Sequence, residues 1–308
     1  MIYATFVLPA PYGCNLKCPF CAIAHRGEAV NNNLLPSDYI RFLIDVLVHF
    51  KIGRVCIQGY EPLLQESYPL TKRLLQIADL FLCETGLTTN GINLRKYAKE
   101  LAGLVDVVAI SIDSASSKIH DKLRGVEGSF EKTIDGIRTL RPIFSGRISV
   151  NSILFPNKAH FLEGMPELLK DMGVSNWSIT PVVDFKHGRF IPKIEFIQAT
   201  MPMLMESASL HGIEVYLSDE LGALGINRHL YKNASVQTFD VDDRVFRLSP
   251  DSSCSRGKEN LKESSVVPLW DRKTQPHLFL EAIFQESKQP IEKRNKFIRR
   301  FLSNFIAT

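Results

Sequence analysis

Residues 1–21 read MIYATFVLPAPYGCNLKCPFC, so an apolar, β-branched run passes straight into three cysteines spaced C-x3-C-x2-C. The run Ile2–Leu8 lacks the basic lead and the small-residue cleavage site of an export signal, and it reads as a strand. A strand that empties into a cysteine loop puts that loop at its carboxyl end. In α/β folds this is the edge where the chemistry collects.

The same kind of run recurs downstream at Arg54–Gln58, Leu80–Thr88, Val105–Ile112, Arg147–Phe155 and Asn176–Val182. Helical spacing fills the intervals. Ser37–Phe50 carries Ile40, Leu43, Ile44, Leu47 and Val48 at i, i+3, i+4, i+7 and i+8, with Ser37 as the expected N-cap. Pro69–Asp79, Leu94–Leu101, Ser129–Leu140 and Ala159–Met172 follow suit, and Gly53 and Gly173 stand where helices are expected to stop. Alternation of this kind builds parallel βα units with right-handed crossovers. Periodicity alone leaves open whether the sheet curls into a barrel or stays doubly wound.

Past about residue 190 the rhythm weakens. Ile194–Leu210 reads as a helix and Ile213–Leu217 as a short strand, while 219–275 is irregular and polar. A boundary is expected near 215, with 1–215 as the main α/β domain and 216–308 as a C-terminal cap and terminal helix.

The chain has 308 residues, 45% of them hydrophobic, which is enough to bury a full core. No run reaches the roughly 18 apolar residues of a membrane helix. The net charge of +4 is spread out, unlike the patch of a nucleic-acid binder. Of six cysteines, three crowd into one loop and Cys56, Cys83 and Cys254 stand alone. That is no disulfide framework, and a reducing, cytoplasmic setting is expected.

Three thiolates can each ligate one iron of a [4Fe–4S] cube, which leaves the fourth iron open to a substrate atom. Two other readings compete. Cys14, Cys18, Cys21 and His25 could form a Cys3His zinc site in an interaction protein, or the thiols could be buried by coincidence.

Other motifs fall at strand ends. The second run is followed by Gly59-Tyr60-Glu61-Pro62, the third ends in Thr88-Thr89-Asn90-Gly91, and the fourth contains Ser111-Ile112 and runs into Asp113. His120–Phe130 reads HDKLRGVEGSF, and Phe20 precedes the third cysteine. Together, over residues 1–182, these resemble the radical S-adenosylmethionine (SAM) superfamily. The resemblance implies a partial, six-stranded (β/α) barrel with a C-terminal capping region, and one [4Fe–4S] cluster on Cys14, Cys18 and Cys21. It implies that SAM chelates the open iron and is reductively cleaved to a 5′-deoxyadenosyl radical, which abstracts a substrate hydrogen atom. A donor such as flavodoxin or ferredoxin would supply the electron.

The resemblance also assigns SAM contacts. Phe20 lies beside the cluster, Gly59, Tyr60 and Glu61 receive the amine, and Asn90 follows on the next strand. Ser111 and Asp113 lie near the ribose or carboxylate, Arg124 pairs the carboxylate, and Asn151 and Ile179 meet the ribose and adenine. Tyr60 replaces a family glycine. Because tyrosine tolerates positive φ poorly, an altered turn or a side chain aimed into the substrate cavity is expected.

Beyond residue 83 the only cysteine is Cys254, so this stretch cannot build a cysteine-rich auxiliary-cluster site. Cys56 and Cys83 read as core packing. Cys254 sits in the polar run SPDSSCSRG, residues 249–257. A thiol there could return a hydrogen atom from the opposite face and invert a carbon centre. That arrangement resembles radical SAM epimerases of aminoglycoside biosynthesis, with Cys254 catalytic and a small-molecule substrate. Dehydrogenation and peptide modification are the alternatives, and a bystander thiol is the plain one. Asp240, Asp242, Asp243 and Asp251 outnumber Arg244 and Arg247, either as a lip for a cationic amino sugar or as a solvated loop. Phe297, Phe301 and Phe305, beside Arg299 and Arg300, predict a terminal helix docked on protein rather than on a membrane.

Overall fold

Helix α1 (Pro36–His49) begins where backbone chemistry allows. Pro36 takes the first helical position, where a missing N–H costs nothing, and Asp38 Oδ2 accepts the Leu35 N–H at 2.8 Å. Ser37, expected as the cap, lies inside the helix, because the Asp38 carboxylate is the group that reaches back. The buried face of α1, including Tyr39, Phe42, Leu43 and Val46, joins the common core. The structure, a computed structural model, describes residues 2–8, 13–21, 35–49, 52–184, 189–190, 192–217, 244–248 and 254–256.

Six parallel strands stand side by side in chain order: β1 (Ile2–Leu8), β2 (Ile52–Gly59), β3 (Glu84–Thr89), β4 (Val107–Ser111), β5 (Arg147–Leu154) and β6 (Asn176–Pro181). Helices α1, α2 (Tyr68–Leu80), α3 (Leu94–Leu101), α4 (Ser117–Arg124), α5 (Ser129–Leu140) and α6 (Met165–Asp171) cross between them. This is the α/β partial-barrel core expected from the sequence. A short pair, β7 (Val183–Asp184) and β8 (Arg189–Phe190), then precedes α7 (Ile194–Leu210). The sheet grows at both edges: β9 (Glu214–Leu217) pairs with β6, β10 (Arg244–Leu248) runs parallel to β1, and β11 (Cys254–Arg256) runs antiparallel to β10. Two pieces of the stretch read as irregular therefore belong to the main sheet.

Several local expectations fail for simple reasons. Gly53 lies within β2 and stops no helix. The third strand starts at Glu84, because Leu80 ends α2 and Leu82 turns with φ 60, exposed. The helix expected from Ala159 begins only at Met165, since Gly164 with φ 75 breaks the path after a 3-10 turn. Among the described residues no helix is long and apolar enough to cross a membrane.

Along β5, Ile148, Val150, Ser152 and Leu154 are buried, while Ser149, Asn151 and Ile153 are half-buried. This period of two separates the faces of the sheet. The buried row shares its core with the helices, and the half-buried row lines the inner face. At the amino ends of the strands, Glu84 accepts from Arg54 Nε at 2.6 Å and from Arg147 Nη2 at 3.0 Å, a charged floor beneath that inner face.

Candidate active site

The cysteine loop follows β1 and is gripped from two sides. On one flank the Lys17 N–H donates to the Arg124 carbonyl at the end of α4, at 2.9 Å. Gly125 makes this approach possible. It has φ 71, and a Cβ there would lie 2.5 Å from the Lys17 carbonyl oxygen. Cys18 Sγ lies 3.8 Å from the same Arg124 carbonyl and 4.0 Å from Arg124 Nη1. On the other flank Asn90 Nδ2 donates to Asn15 Oδ1 at 2.7 Å and approaches Cys14 Sγ at 3.7 Å.

Asn90 is itself held by Glu61. β2 ends at Gly59, whose φ of 141 takes the unusual backbone geometry. Tyr60 is not among the residues with positive φ, so its replacement of glycine forces no strained turn. The Glu61 carboxylate accepts the Leu63 N–H at 2.9 Å, the Thr89 hydroxyl at 2.6 Å and the Asn90 N–H at 2.8 Å. With three of about four lone-pair sites filled and the residue 1% exposed, Glu61 knots the β2 turn to the β3 turn. Burial pushes its carboxyl upward, and the three donors pull it back.

Arg124 is likewise engaged inside the protein. Its Nε lies 2.7 Å from Asp113 Oδ2, an ion pair off the best hydrogen-bond angle, and its guanidinium carbon lies 5.5 Å from the centre of the Phe20 ring. Asp113 Oδ1 accepts the Ile153 N–H at 3.0 Å. The Asp113 N–H points at His120 Nδ1, 3.3 Å away, so the neutral ring accepts there and carries its proton on Nε2. Burial, aided by Arg124, pulls the His120 pKa from 6.5 to about 4. Neither His120 nor Gly125 stands out by residue type; only the fold brings Gly125 against the loop and His120 against Asp113.

Ser111 and Asn151 are register partners on the half-buried inner face. Ile179 was expected beside them. Its register partner is Ser152, on the opposite face, and its side chain is fully buried in the core with Trp177. Any ligand contact of Ile179 would have to be through its backbone. Phe20 packs edge-on to Phe155 at 5.0 Å. Cys83 is buried and donates to the Ile52 carbonyl at 3.3 Å, as core packing predicts. Cys56 is not core. It is half-buried on the inner-face row, with Sγ 3.6 Å from Thr88 Oγ1.

Cys254 opens β11 in register with Leu248, the last residue of β10. Because β10 runs parallel to β1, that position lies at the same carboxyl edge as the cysteine loop. The Cys254 side chain, His25, the acidic run around Asp240 and the phenylalanine tail lie outside the described residues.

The donor set suits a cluster. Among the described residues no three His, Cys, Asp or Glu side chains converge as a single metal ion requires. In a cube each thiolate binds its own iron, so thiols spread along one loop fit. Cys14 is exposed and Cys18 half-buried; partial desolvation by the surrounding protein pushes the Cys14 thiol up to about 11 and the Cys18 thiol upward as well. A bound metal's own charge would favour the thiolate at both positions.

A family model described as the radical SAM superfamily matches residues 8–165. A probable GTP 3',8-cyclase of Methanococcus vannielii is 32% identical over 188 residues, 60% of this chain and 56% of that protein. The antilisterial bacteriocin subtilosin biosynthesis protein AlbA of Bacillus subtilis is 29% identical over 195 residues, 62% of this chain and 41% of that one. The chain thus spans little more than half of the first and less than half of the second. Among solved structures, Streptococcus suis SuiB bound to the precursor peptide SuiA superposes with TM-score 0.65 at 14% identity, over 89% of this chain and 63% of that one. Native anSMEcpe with bound AdoMet gives 0.60 at 17%, over 96% and 87%. At such identities the superpositions speak for the fold. None of these relatives is named as an epimerase or for an aminoglycoside, so the narrower likeness drawn from Cys254 gains no support from them.

Proposed function

Because the chain belongs to the radical SAM superfamily, whose members work with a [4Fe–4S] cluster and SAM, we propose that Cys14, Cys18 and Cys21 hold that cluster over the inner face of the sheet. Bound there, the cluster and SAM supply reductive cleavage of the sulfonium and a primary alkyl radical able to take hydrogen from a substrate C–H bond. The protein's part is to grip. Arg124 and Gly125 fix the loop through Lys17, and the Ser111 hydroxyl and Asn151 amide offer hydrogen bonds to a ribose. Backbone carbonyls of the 59–61 turn receive the SAM ammonium, since three of about four acceptor sites on the Glu61 carboxylate are already filled.

The observation that carries this reading is the meeting of four distant segments at one edge. The cysteine loop, the β2 turn, the β3 turn and the end of α4 are joined there by direct hydrogen bonds.

For the reaction class, the reading is epimerisation with Cys254 as hydrogen donor. One substrate C–H hydrogen leaves to the radical, the S–H hydrogen arrives on the opposite face, and the resulting thiyl is reduced by an external electron and a proton. Its support is the position of Cys254 at the carboxyl edge. In D2O, with SAM, reductant and a panel of aminoglycosides, one deuterium should enter the inverted carbon. Cys254→Ser should cleave SAM yet give little epimer. Full product from that variant would make the thiol a bystander, and loss of two hydrogens would make the enzyme a dehydrogenase. Similarity to AlbA favours a second reading, a peptide substrate, and adding peptides to the same panel tests it.

A further inference from the structure

Asn90 makes more contacts than a turn residue needs. Its N–H donates to Glu61 Oε2 at 2.8 Å, its side-chain oxygen accepts the Ile92 N–H at 3.0 Å, and its carbonyl accepts the Thr133 hydroxyl at 2.9 Å. These three bonds leave the Nδ2 amine as the one arm aimed outward. It bridges to Asn15 Oδ1 at 2.7 Å and to Cys14 Sγ at 3.7 Å. Asn90 is 7% exposed, so water competes little for the donor, while the Cys14 acceptor lies on the exposed side of the loop. Behind it stands the buried Glu61 carboxylate, which cannot move without breaking three hydrogen bonds at once.

Resting on the cluster assignment above, we propose that Asn90 is a positioning residue that donates to the Cys14 thiolate and sets the reduction potential of the cluster, with Glu61 as its anchor. The physics is direct. Adding an electron makes the cluster and its thiolates more negative, and a fixed N–H dipole on one sulfur stabilises the reduced form more than the oxidised one. Removing the donor lowers the potential. Cys18 has an analogous neighbour in Arg124, but that charge is largely compensated by Asp113 at 2.7 Å. Asn90 is therefore the donor whose removal disturbs the least else.

The test is potentiometry of the reconstituted full chain without SAM, followed by the EPR signal of the reduced cluster. Two variants separate tuning from structure. Asn90→Ser keeps an oxygen for the Ile92 N–H but is too short to reach Cys14, and Asn90→Asp keeps the shape while replacing the donor with a carboxylate. Both should retain the wild-type iron content. In Asn90→Ser the reduced-to-oxidised ratio at a fixed applied potential should fall about tenfold, a shift of about 59 mV for a one-electron couple. In Asn90→Asp the fall should be larger. Glu61→Gln, which loosens the anchor, should fall by less than either. Wild-type potentials in fully loaded Asn90 variants would overturn the proposal. Folded Asn90 variants that take up no cluster would overturn it too, by making the residue a builder of the site rather than its tuner. A wild-type chain that takes up no cluster would instead sink the cluster assignment, a distinct outcome.

Discussion

At the amino ends of the strands, Glu84 sits between Arg54 and Arg147 with side-chain exposures of 32%, 20% and 43%. At the carboxyl ends, Asp113 and Arg124 make the same kind of pair with exposures of 0% and 10%. The chemistry is alike and the solvent is not. Water screens the floor, so its ion pairs contribute little to stability and can be lost cheaply. At the other end each charge depends on its partner, and breaking one side strands the other. The costly, rigid arrangement is the one beneath the cysteine loop.

The sharpest way to break this comparison is Asp113→Ala. It leaves the Arg124 guanidinium buried and unpaired, and removes the acceptor of the Ile153 N–H. The expected loss is about 3–5 kcal/mol in urea unfolding of the cluster-free chain. A loss no greater than that of a surface pair would mean that water reaches Arg124.

A second probe is pH. His120 is neutral when folded, with its pKa pulled to about 4, against 6.5 for the free residue. Between those values the unfolded chain binds a proton and the folded chain does not. Stability is therefore full above pH 6.5 and falls as the pH drops toward 4, by about 3 kcal/mol in all. His120→Asn, whose side-chain oxygen can still accept the Asp113 N–H, should flatten that window. An unchanged slope would assign the acid sensitivity elsewhere.

Gly125→Ala tests the grip on the loop. The added Cβ meets the Lys17 carbonyl and occupies a positive φ, at a cost of about 1–3 kcal/mol. Iron uptake should fall with it, because the loop must move. Unchanged iron uptake would show the loop seated without α4.

The smallest effect belongs to the floor. Glu84→Ala should cost about 1 kcal/mol or less in the same unfolding assay. A loss as large as that of Asp113→Ala would erase the distinction between the two ends.

How much of this was legible beforehand follows the range of the interactions. β1, α3, α5 and α7 have the bounds that the apolar spacing gives, since that spacing is local. Boundaries slipped where a single backbone feature intervened, as at Leu82 and Gly164. β10 and β11 escaped notice because their runs are short, and because β10's partner β1 lies more than two hundred residues earlier while β11 pairs in turn with β10. Motif order placed the cysteines, Glu61, Asn90 and Arg124 at one edge, but not their partners. That Glu61 spends its carboxylate on Thr89 and Asn90, and that Arg124 faces Asp113, are contacts across strands that no one-dimensional pattern encodes. Ile179 and Cys56 show the same limit in miniature. The resemblance suggested ligand contact for one and residue type suggested core for the other; strand register turns the Ile179 side chain into the core, leaving its backbone for any contact, and puts Cys56 on the inner-face row.

The central claim is that Cys14, Cys18 and Cys21 hold a SAM-cleaving cluster, and anaerobic reconstitution tests it most directly. The wild-type chain should turn brown, bind about four irons and release 5′-deoxyadenosine from SAM under reductant. The chain with all three cysteines changed to alanine should do neither. A colourless wild-type protein holding zinc, or a triple variant that still released 5′-deoxyadenosine, would contradict the account.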